Sequence, residues 1–301
     1  MRPQYAEEPC RTALTRVKGM PFRWSLNPYT GCVHQCTFCY VRGFELRAGR
    51  PSDDRYGTRV RVKTNIVDLL RRELARKSWK HDEVAVGTAT DPYQPAEGRY
   101  RLTRGCIQAL GASATPFSLI TRGPMIVRDI DVLVEAGRAA EVSINISVPT
   151  LDERIWRTTE PGTAHPRQRL RALSRLVTAG IRAGVGMAPI LPGLSDDPLL
   201  LREVAVAARD AGATHLWWNV LNLRPGTREH FLEHLARDWP EELERYERLY
   251  SDRAYLTREQ TAELNETLGA LRSEWIWGPE RPAQSVPPPR DDKQMELPLA
   301  G

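Results

Sequence analysis

What this 301-residue sequence lacks narrows it first. No apolar run approaches the roughly 18 residues that a membrane-spanning helix needs, so no helical span is expected. The opening MRPQYAEEPC has no apolar core of the signal-peptide kind, and the chain reads as cytoplasmic. No internal repeat is visible. Cysteine is scarce, with five in the whole chain: Cys10, Cys32, Cys36, Cys39 and Cys106. A cytoplasmic chain of this length has no need of disulfides, so the three cysteines crowded between positions 32 and 39 read as ligands rather than bridges.

What is present is ordinary for a soluble globular protein: 41% apolar and 27% charged residues. The length suits one large domain or two ordinary ones. A formal net charge of +5 leans toward a polyanionic partner, although high arginine with abundant alanine and glycine also follows from a GC-rich genome.

Between residues 22 and 222 short apolar runs alternate with longer amphipathic ones. Strands are predicted over Arg23–Asn27, Glu83–Thr88, Phe117–Thr121, Glu141–Val148, Arg182–Ile190 and His215–Leu221, rich in Val, Ile and aromatic residues as buried parallel strands should be. Helices are predicted over Asn65–Trp79, Arg99–Ala112, Ile126–Gly137, Pro166–Ala179 and Pro198–Ala211. In the last, Asp196-Asp197-Pro198 supplies cap chemistry, Leu200, Val204 and Ala208 recur at helical spacing, and Gly212 closes it. Strand and helix in alternation mean parallel strands joined by right-handed crossovers. Six such units predict an α/β fold, a partial (β/α)6 barrel of the TIM type, with a doubly wound open sheet as the competing layout. The expected organisation is an N-terminal extension over 1–21, the barrel over 22–222, an all-helical C-terminal extension over 223–278 (helices at Thr227–Asp238, Glu241–Tyr250 and Thr257–Trp275), and a disordered Pro-rich tail over 279–301.

The main chemical signal is Cys32-Val33-His34-Gln35-Cys36-Thr37-Phe38-Cys39, a C-x3-C-x2-C spacing in the loop after the first predicted strand. Four thiolates would fill every iron of a cubane cluster; three leave one iron open to a substrate or cofactor. The competing reading is a non-enzymatic zinc-binding module that uses the three cysteines and His34. His34 lies between the cysteines, a poor place from which to reach the same ion, and no second ligand pair follows.

This motif, with an aromatic residue before its last cysteine and a barrel strand before its first, resembles the radical S-adenosylmethionine (radical SAM) superfamily. The resemblance implies a [4Fe–4S] cluster on Cys32, Cys36 and Cys39 whose open iron chelates S-adenosylmethionine. One electron then breaks the sulfonium–C5′ bond, giving methionine and a 5′-deoxyadenosyl radical that abstracts hydrogen from substrate. An electron donor such as flavodoxin or ferredoxin is implied as partner. Asn27–Cys32, Thr90–Glu97, Thr121-Arg122, Arg128-Asp129, Ser147–Asp152 and Glu160-Pro161 are similar to the spore photoproduct lyase-related group, which implies a DNA-repair lyase acting on a lesion or modified base. By the same resemblance Thr90, Asp91, Arg122 (where the family more often has lysine) and Ser147 face S-adenosylmethionine, and Tyr40 joins the cysteines as a catalytic candidate. Helix capping and turn chemistry would equally account for Thr90, Asp91 and Ser147. Two residues depart from the group's pattern: Thr88 stands where a hydrogen-donating cysteine is expected, and Phe38 replaces a tyrosine. Repair of the spore photoproduct itself is therefore not expected. A radical SAM enzyme acting on a peptide, RNA or small metabolite is the alternative.

Three features remain. Between Arg42 and Lys63 stand seven basic and three acidic residues, a loop that could track phosphates or be a solvated face. Trp217-Trp218 could stack a base or pack, one ring inward and one under a helix. In the tail, Gln294, Met295, Leu297 and Leu299 resemble the short peptide by which bacterial replication and repair proteins dock on the DNA sliding clamp.

Overall fold

The protein is described by a computed structural model over residues 3–274 and 277. The tail over 279–301, with Gln294, Met295, Leu297 and Leu299, lies outside the described residues. A seven-stranded sheet forms the centre. Six strands run parallel in the order of the sequence: β3 (Trp24–Leu26), β6 (Val84–Val86), β7 (Phe117–Thr121), β8 (Val142–Ser147), β9 (Ala183–Ile190) and β10 (Leu216–Val220). The order never reverses, and the doubly wound layout, which requires a reversal, is set aside. β10 and β2 (Leu14–Arg16) end the sheet at opposite edges, so the barrel is partial.

The predicted strands are there, most of them trimmed at the ends. Their near-continuous apolar content reflects cover on both faces: every residue of β6 is buried. The helices between them are α2 (Ile66–Leu74), α4 (Leu102–Ala112), α5 (Ile130–Ala139), α7 (Pro166–Thr178) and α8 (Pro198–Asp210). In α8 the Asp197 carboxylate accepts from Leu199 N at 2.8 Å, Pro198 takes the first helical turn, and Leu201, Val204, Ala205 and Ala208 are buried.

The N-terminal region holds what periodicity did not predict. β2 (Leu14–Arg16) adds antiparallel to β3. A small second sheet pairs β5 (Arg59–Lys63) parallel with β1 (Gln4–Glu8) and antiparallel with β4 (Tyr29–Thr30). The basic stretch read as a loop thus contains α1 (Val41–Arg47) and β5, whose Arg-Val-Arg-Val-Lys alternation buries Val60 and Val62 completely while the charged partners face out. The short helix α6 (Glu153–Thr159) was also not expected, capped by Asp152 accepting from Ile155 N at 2.8 Å, and α3 (Ala96–Tyr100) starts three residues ahead of the expected helix. Arg101, in a left-handed conformation at φ 51°, breaks the helix expected over 99–112 into α3 and α4.

The C-terminal helices α9 (Thr227–Asp238), α10 (Leu243–Leu249) and α11 (Ala262–Ser273) do two jobs. α11 lies on α8, where Leu268 and Leu271 join the barrel core. α9 and α10 build a second core in which Phe231, Leu235, Tyr246 and Tyr250 pack with Leu191, Leu221 and, from the cysteine loop, Cys36 and Phe38. Trp217 and Trp218 have structural partners: Trp217 donates to Asn145 at 2.7 Å, and Trp218 donates to Asn265 of α11 at 2.8 Å.

Candidate active site

The cysteine loop leaves the C-terminal edge of β3, the edge at which barrel chemistry assembles. Asn27 pins its start, accepting from Ala89 N at 2.8 Å and donating to Thr88 Oγ1 at 3.2 Å. Gln94 then holds the first turn from beneath: its amide donates to Gly31 O and Thr90 Oγ1, and its carbonyl accepts from Val33 N. Thr90 donates to the same Gly31 carbonyl at 2.8 Å. The far side leans on the segment after α6, where Thr37 N donates to Thr159 O at 2.9 Å and Gly162 N to His34 O at 3.0 Å. Two glycines make room. A Cβ at Gly57, at φ 82°, would stand 2.2 Å from Cys32 O, and one at Gly162 would stand 2.4 Å from Val33 O.

Cys32 and Cys36 are buried and Cys39 half-buried, all as free thiols. Burial pushes the Cys36 and Cys39 thiols above their ordinary range, so a bound metal must draw off the protons itself. Tyr56, buried, sits with its hydroxyl 3.7 Å from Cys39 Sγ, and the buried Arg42 guanidinium lies over its ring at 4.8 Å. Three thiolates along one short loop, with no fourth thiolate beside them among the described residues, fit a cluster that spreads its thiolates over separate irons and leaves one iron open.

The other predicted residues gather along the same edge. Asp91 is braced on all sides: its carboxylate accepts from Tyr93 N, Thr121 Oγ1 and Arg122 N at 2.6–2.8 Å and meets His34 Nδ1 at 3.4 Å. Burial works against its charge, but His34, Thr121 and the Arg122 amide hold its pKa down at about 2. Its visible role is to lock the loop, through His34, to the ends of β6 and β7. Arg122 donates through Nε to Glu160 at 2.5 Å and through Nη2 to Ala188 O at 2.8 Å, and lies over the Phe38 ring at 5.5 Å. Ser147 donates to the same Ala188 carbonyl at 3.2 Å. Tyr40 is well exposed beside the loop, and its hydroxyl contacts the Thr88 carbonyl, so this catalytic candidate neighbours the position where a cysteine was expected. Cys106 is buried inside α4, away from any such role.

Sequence reading missed several members. Gln94, Glu160 and His34 stand in or beside the quoted motifs, yet their partners lie elsewhere in the chain. Tyr56 and Arg42 sit in the stretch read only for its charge. Glu160, buried, is shared by Arg122 and the fully buried Arg169, whose Nη1 reaches both carboxylate oxygens at 3.1–3.2 Å.

A three-cysteine loop at the C-terminal edge of a parallel barrel, with a buried acid–base brace beneath it, defines a metal-cluster enzyme of the barrel class. The family model of the Radical SAM superfamily matches residues 26–201. An uncharacterised protein of Mycobacterium tuberculosis is 39% identical over 279 residues, covering 91% of this chain and 82% of its own length, and an uncharacterised protein of Methanocaldococcus jannaschii is 24% identical over 230 residues, covering 76% and 81%. Among solved structures, spore photoproduct lyase, in a mutant with bound AdoMet and dinucleoside spore photoproduct, superposes with a TM-score of 0.69 at 16% identity, over 91% of this chain and 80% of that one. This chain belongs to the Radical SAM superfamily. It is a radical SAM enzyme, and its cofactors are a [4Fe–4S] cluster and S-adenosylmethionine. No helix among the described residues is long and apolar enough to cross a membrane.

Proposed function

We propose that this radical SAM enzyme acts on a damaged or modified base in DNA. The observation that carries the reading is a ladder of side chains leaving the cysteine loop along α1. Tyr40 and Phe44 meet edge to face at 5.8 Å, and the Arg47 guanidinium lies over Phe44 at 4.9 Å, with Tyr40, Leu46 and Arg47 turned to solvent. A phenol, an aromatic ring and a cation in a row suit a base with its phosphate. The fold likeness to spore photoproduct lyase supports the same reading.

The cluster, when bound by Cys32, Cys36 and Cys39, supplies the electron for reductive cleavage of S-adenosylmethionine. Arg122 and Ser147, converging on the Ala188 carbonyl, border the space for that ligand. Thr90 and Asp91 complete its wall while holding the loop in place. The Phe38 ring and the second core behind it keep water from the cysteine side. Tyr40 borders the substrate. The free thiols suit a reducing, cytoplasmic setting, with flavodoxin or ferredoxin as electron source. Gln294, Met295, Leu297 and Leu299 bring the enzyme to DNA through the sliding clamp, which a clamp pull-down with Leu297→Ala and Leu299→Ala tests.

The central test is anaerobic reconstitution followed by measurement of 5′-deoxyadenosine with ultraviolet-damaged DNA, undamaged DNA, RNA and peptides. Stimulation by damaged DNA above all the others is expected. Stimulation by RNA or peptide alone moves the enzyme to that substrate. No stimulation across a panel of lesions sinks the repair reading and leaves the enzyme class standing.

A further inference from the structure

A second donor set lies on the outer side of the cysteine loop. His230 and His234 are one turn apart on α9, and their rings stand 4.4 Å from each other. Asp54, on the turn between α1 and β5, comes to meet them: its Oδ1 is 3.1 Å from His234 Nε2 and 3.9 Å from His230 Nδ1. The three ligand atoms all lie within 4.8 Å of one another. Two ligands at the tetrahedral angle of an ion with bonds near 2.0–2.2 Å stand about 3.3–3.6 Å apart, so these separations bracket what a single ion requires.

A plain histidine–aspartate contact explains His234 and leaves His230 unexplained. No hydrogen bond reaches either ring nitrogen of His230 from the described residues, although its side chain is only 4% exposed. We propose that Asp54, His230 and His234 form a binding site for a divalent transition ion of zinc's class, with two nitrogens, one carboxylate oxygen and a position left for water. This extends the activity described above and does not depend on the DNA reading.

The ion would act as a clip. The turn that carries Asp54 also carries Tyr56, against Cys39 Sγ, and Gly57, against the Cys32 carbonyl. Arg42 holds the same turn, donating to Ser52 O and Asp53 O at 2.7–2.8 Å. α9 begins at Thr227, whose hydroxyl donates to Cys39 O at 3.1 Å. Joining Asp54 to α9 would therefore fix the two elements that flank the cluster ligands. Two cations oppose the ion: Arg42, buried against the same turn, and Arg237 on α9. Arg237 Nη2 stands 2.7 Å from His234 Nδ1, the nitrogen that must carry the proton once Nε2 binds metal. Arg237 is exposed and already paired with Asp238 at 2.8–2.9 Å, so it can swing away, and removing it should tighten binding.

The test uses the full chain, reconstituted anaerobically with its cluster, and Zn²⁺ alone as probe, competed against a chromogenic chelator and counted by plasma mass spectrometry after gel filtration. About one zinc per chain beyond the cluster iron is expected. Asp54→Asn, at an exposed side chain that the fold does not need, and His234→Gln should each weaken binding at least as much as the roughly 10–100-fold lost with an outer-shell partner, with iron and sulfide unchanged. Arg237→Gln should strengthen it. Absence of stoichiometric zinc in the wild-type protein, or zinc that survives both ligand substitutions and so sits on the cysteines, would overturn the proposal.

Discussion

Glu160→Gln is the substitution with the sharpest expected consequence. The carboxylate is 1% exposed and lies between two guanidinium groups, accepting from Arg122 at 2.5 Å and from Arg169 at 3.1 and 3.2 Å. Arg169 is itself wholly buried. The amide removes the one negative charge and turns a donor toward a cation, leaving two guanidinium groups facing a neutral partner. Breaking a buried ion pair from one side costs about 3–5 kcal/mol. At roughly 2–4 °C per kcal/mol for a chain of this size, the melting midpoint should fall by on the order of 10 °C. Asp68→Asn is the control: its partner Arg71 is exposed, as is Asp68, and such pairs contribute about 0–1 kcal/mol. Differential scanning calorimetry under nitrogen compares the three proteins at neutral pH. A second arm uses acid. Burial alone would raise the Glu160 pKa, but Arg169 and Arg122 depress it below the ordinary carboxylate value. Its contribution is therefore complete above pH 4.5 and is lost as the pH falls through the lower folded value, where wild type becomes as neutral as the glutamine. The gap between wild type and Glu160→Gln, measured on cluster-free chain, should narrow below pH 4.5. A gap no larger than the control's at pH 7, or one that widens in acid, would refute the reasoning.

Tyr40→Phe should leave 5′-deoxyadenosine formation within about twofold of wild type and lower substrate conversion by about a hundredfold or more, the span typical of a positioned proton-transfer group, a split that liquid chromatography reads directly. Gly57→Ala should lose most of its iron on reconstitution, because the new methyl group meets the Cys32 carbonyl; iron and sulfide assays report it, and full loading would contradict the packing. DNA affinity should fall with salt at a modest logarithmic slope of about −2.7, the value for three phosphate contacts. Arg42, Arg50 and Arg55 are tied to Ser52 and Asp53 carbonyls, Glu45 and Asp53, and Arg59 to Glu8, leaving Arg47, Arg61 and Lys63 as the candidates in that stretch. A slope near zero in fluorescence anisotropy would remove them from the interface.

The parts legible in the sequence are those whose signal is local. Three cysteines within one turn of loop need no partner elsewhere to be read as ligands, and the runs at Phe117–Thr121 and Ala183–Ile190 announce buried strands by composition alone. β5 was hidden because its alternate residues are arginine and lysine, and counting charge obscured the period of two that buries Val60 and Val62. The acid–base braces were hidden for another reason. His34 meets Asp91, and Glu160 joins Arg122 to Arg169, across separations that no window spans; Asp54 and His234 stand 180 positions apart. Individually each is an unremarkable polar residue, and only the winding of the barrel converts them into a site.

The placement of Cys36 and Phe38 changes how the C-terminal helices should be understood. Both side chains belong to the core built by α9 and α10, while Tyr29, three residues after β3 on the same stretch, belongs to the barrel core, its hydroxyl 2.5 Å from the buried Glu97. The cysteine loop is thus clamped between two separately formed cores, with Arg122 over the Phe38 ring on the barrel side and Thr227 on the Cys39 carbonyl on the helical side. Interiors pack densely and shift as units, so a displacement of α9 reaches the cluster ligands without any contact to metal or substrate. That makes Leu235→Ala, 1% exposed in the core that Cys36 joins, an informative substitution. Deleting its buried methyl groups costs about 2–5 kcal/mol in a core that cannot fully collapse. If the two cores were independent, the loss would show only in stability. Because Cys36 sits in the same core, iron retention should fall along with the melting midpoint, and a variant that melts early but holds its iron like wild type would separate the helices from the site.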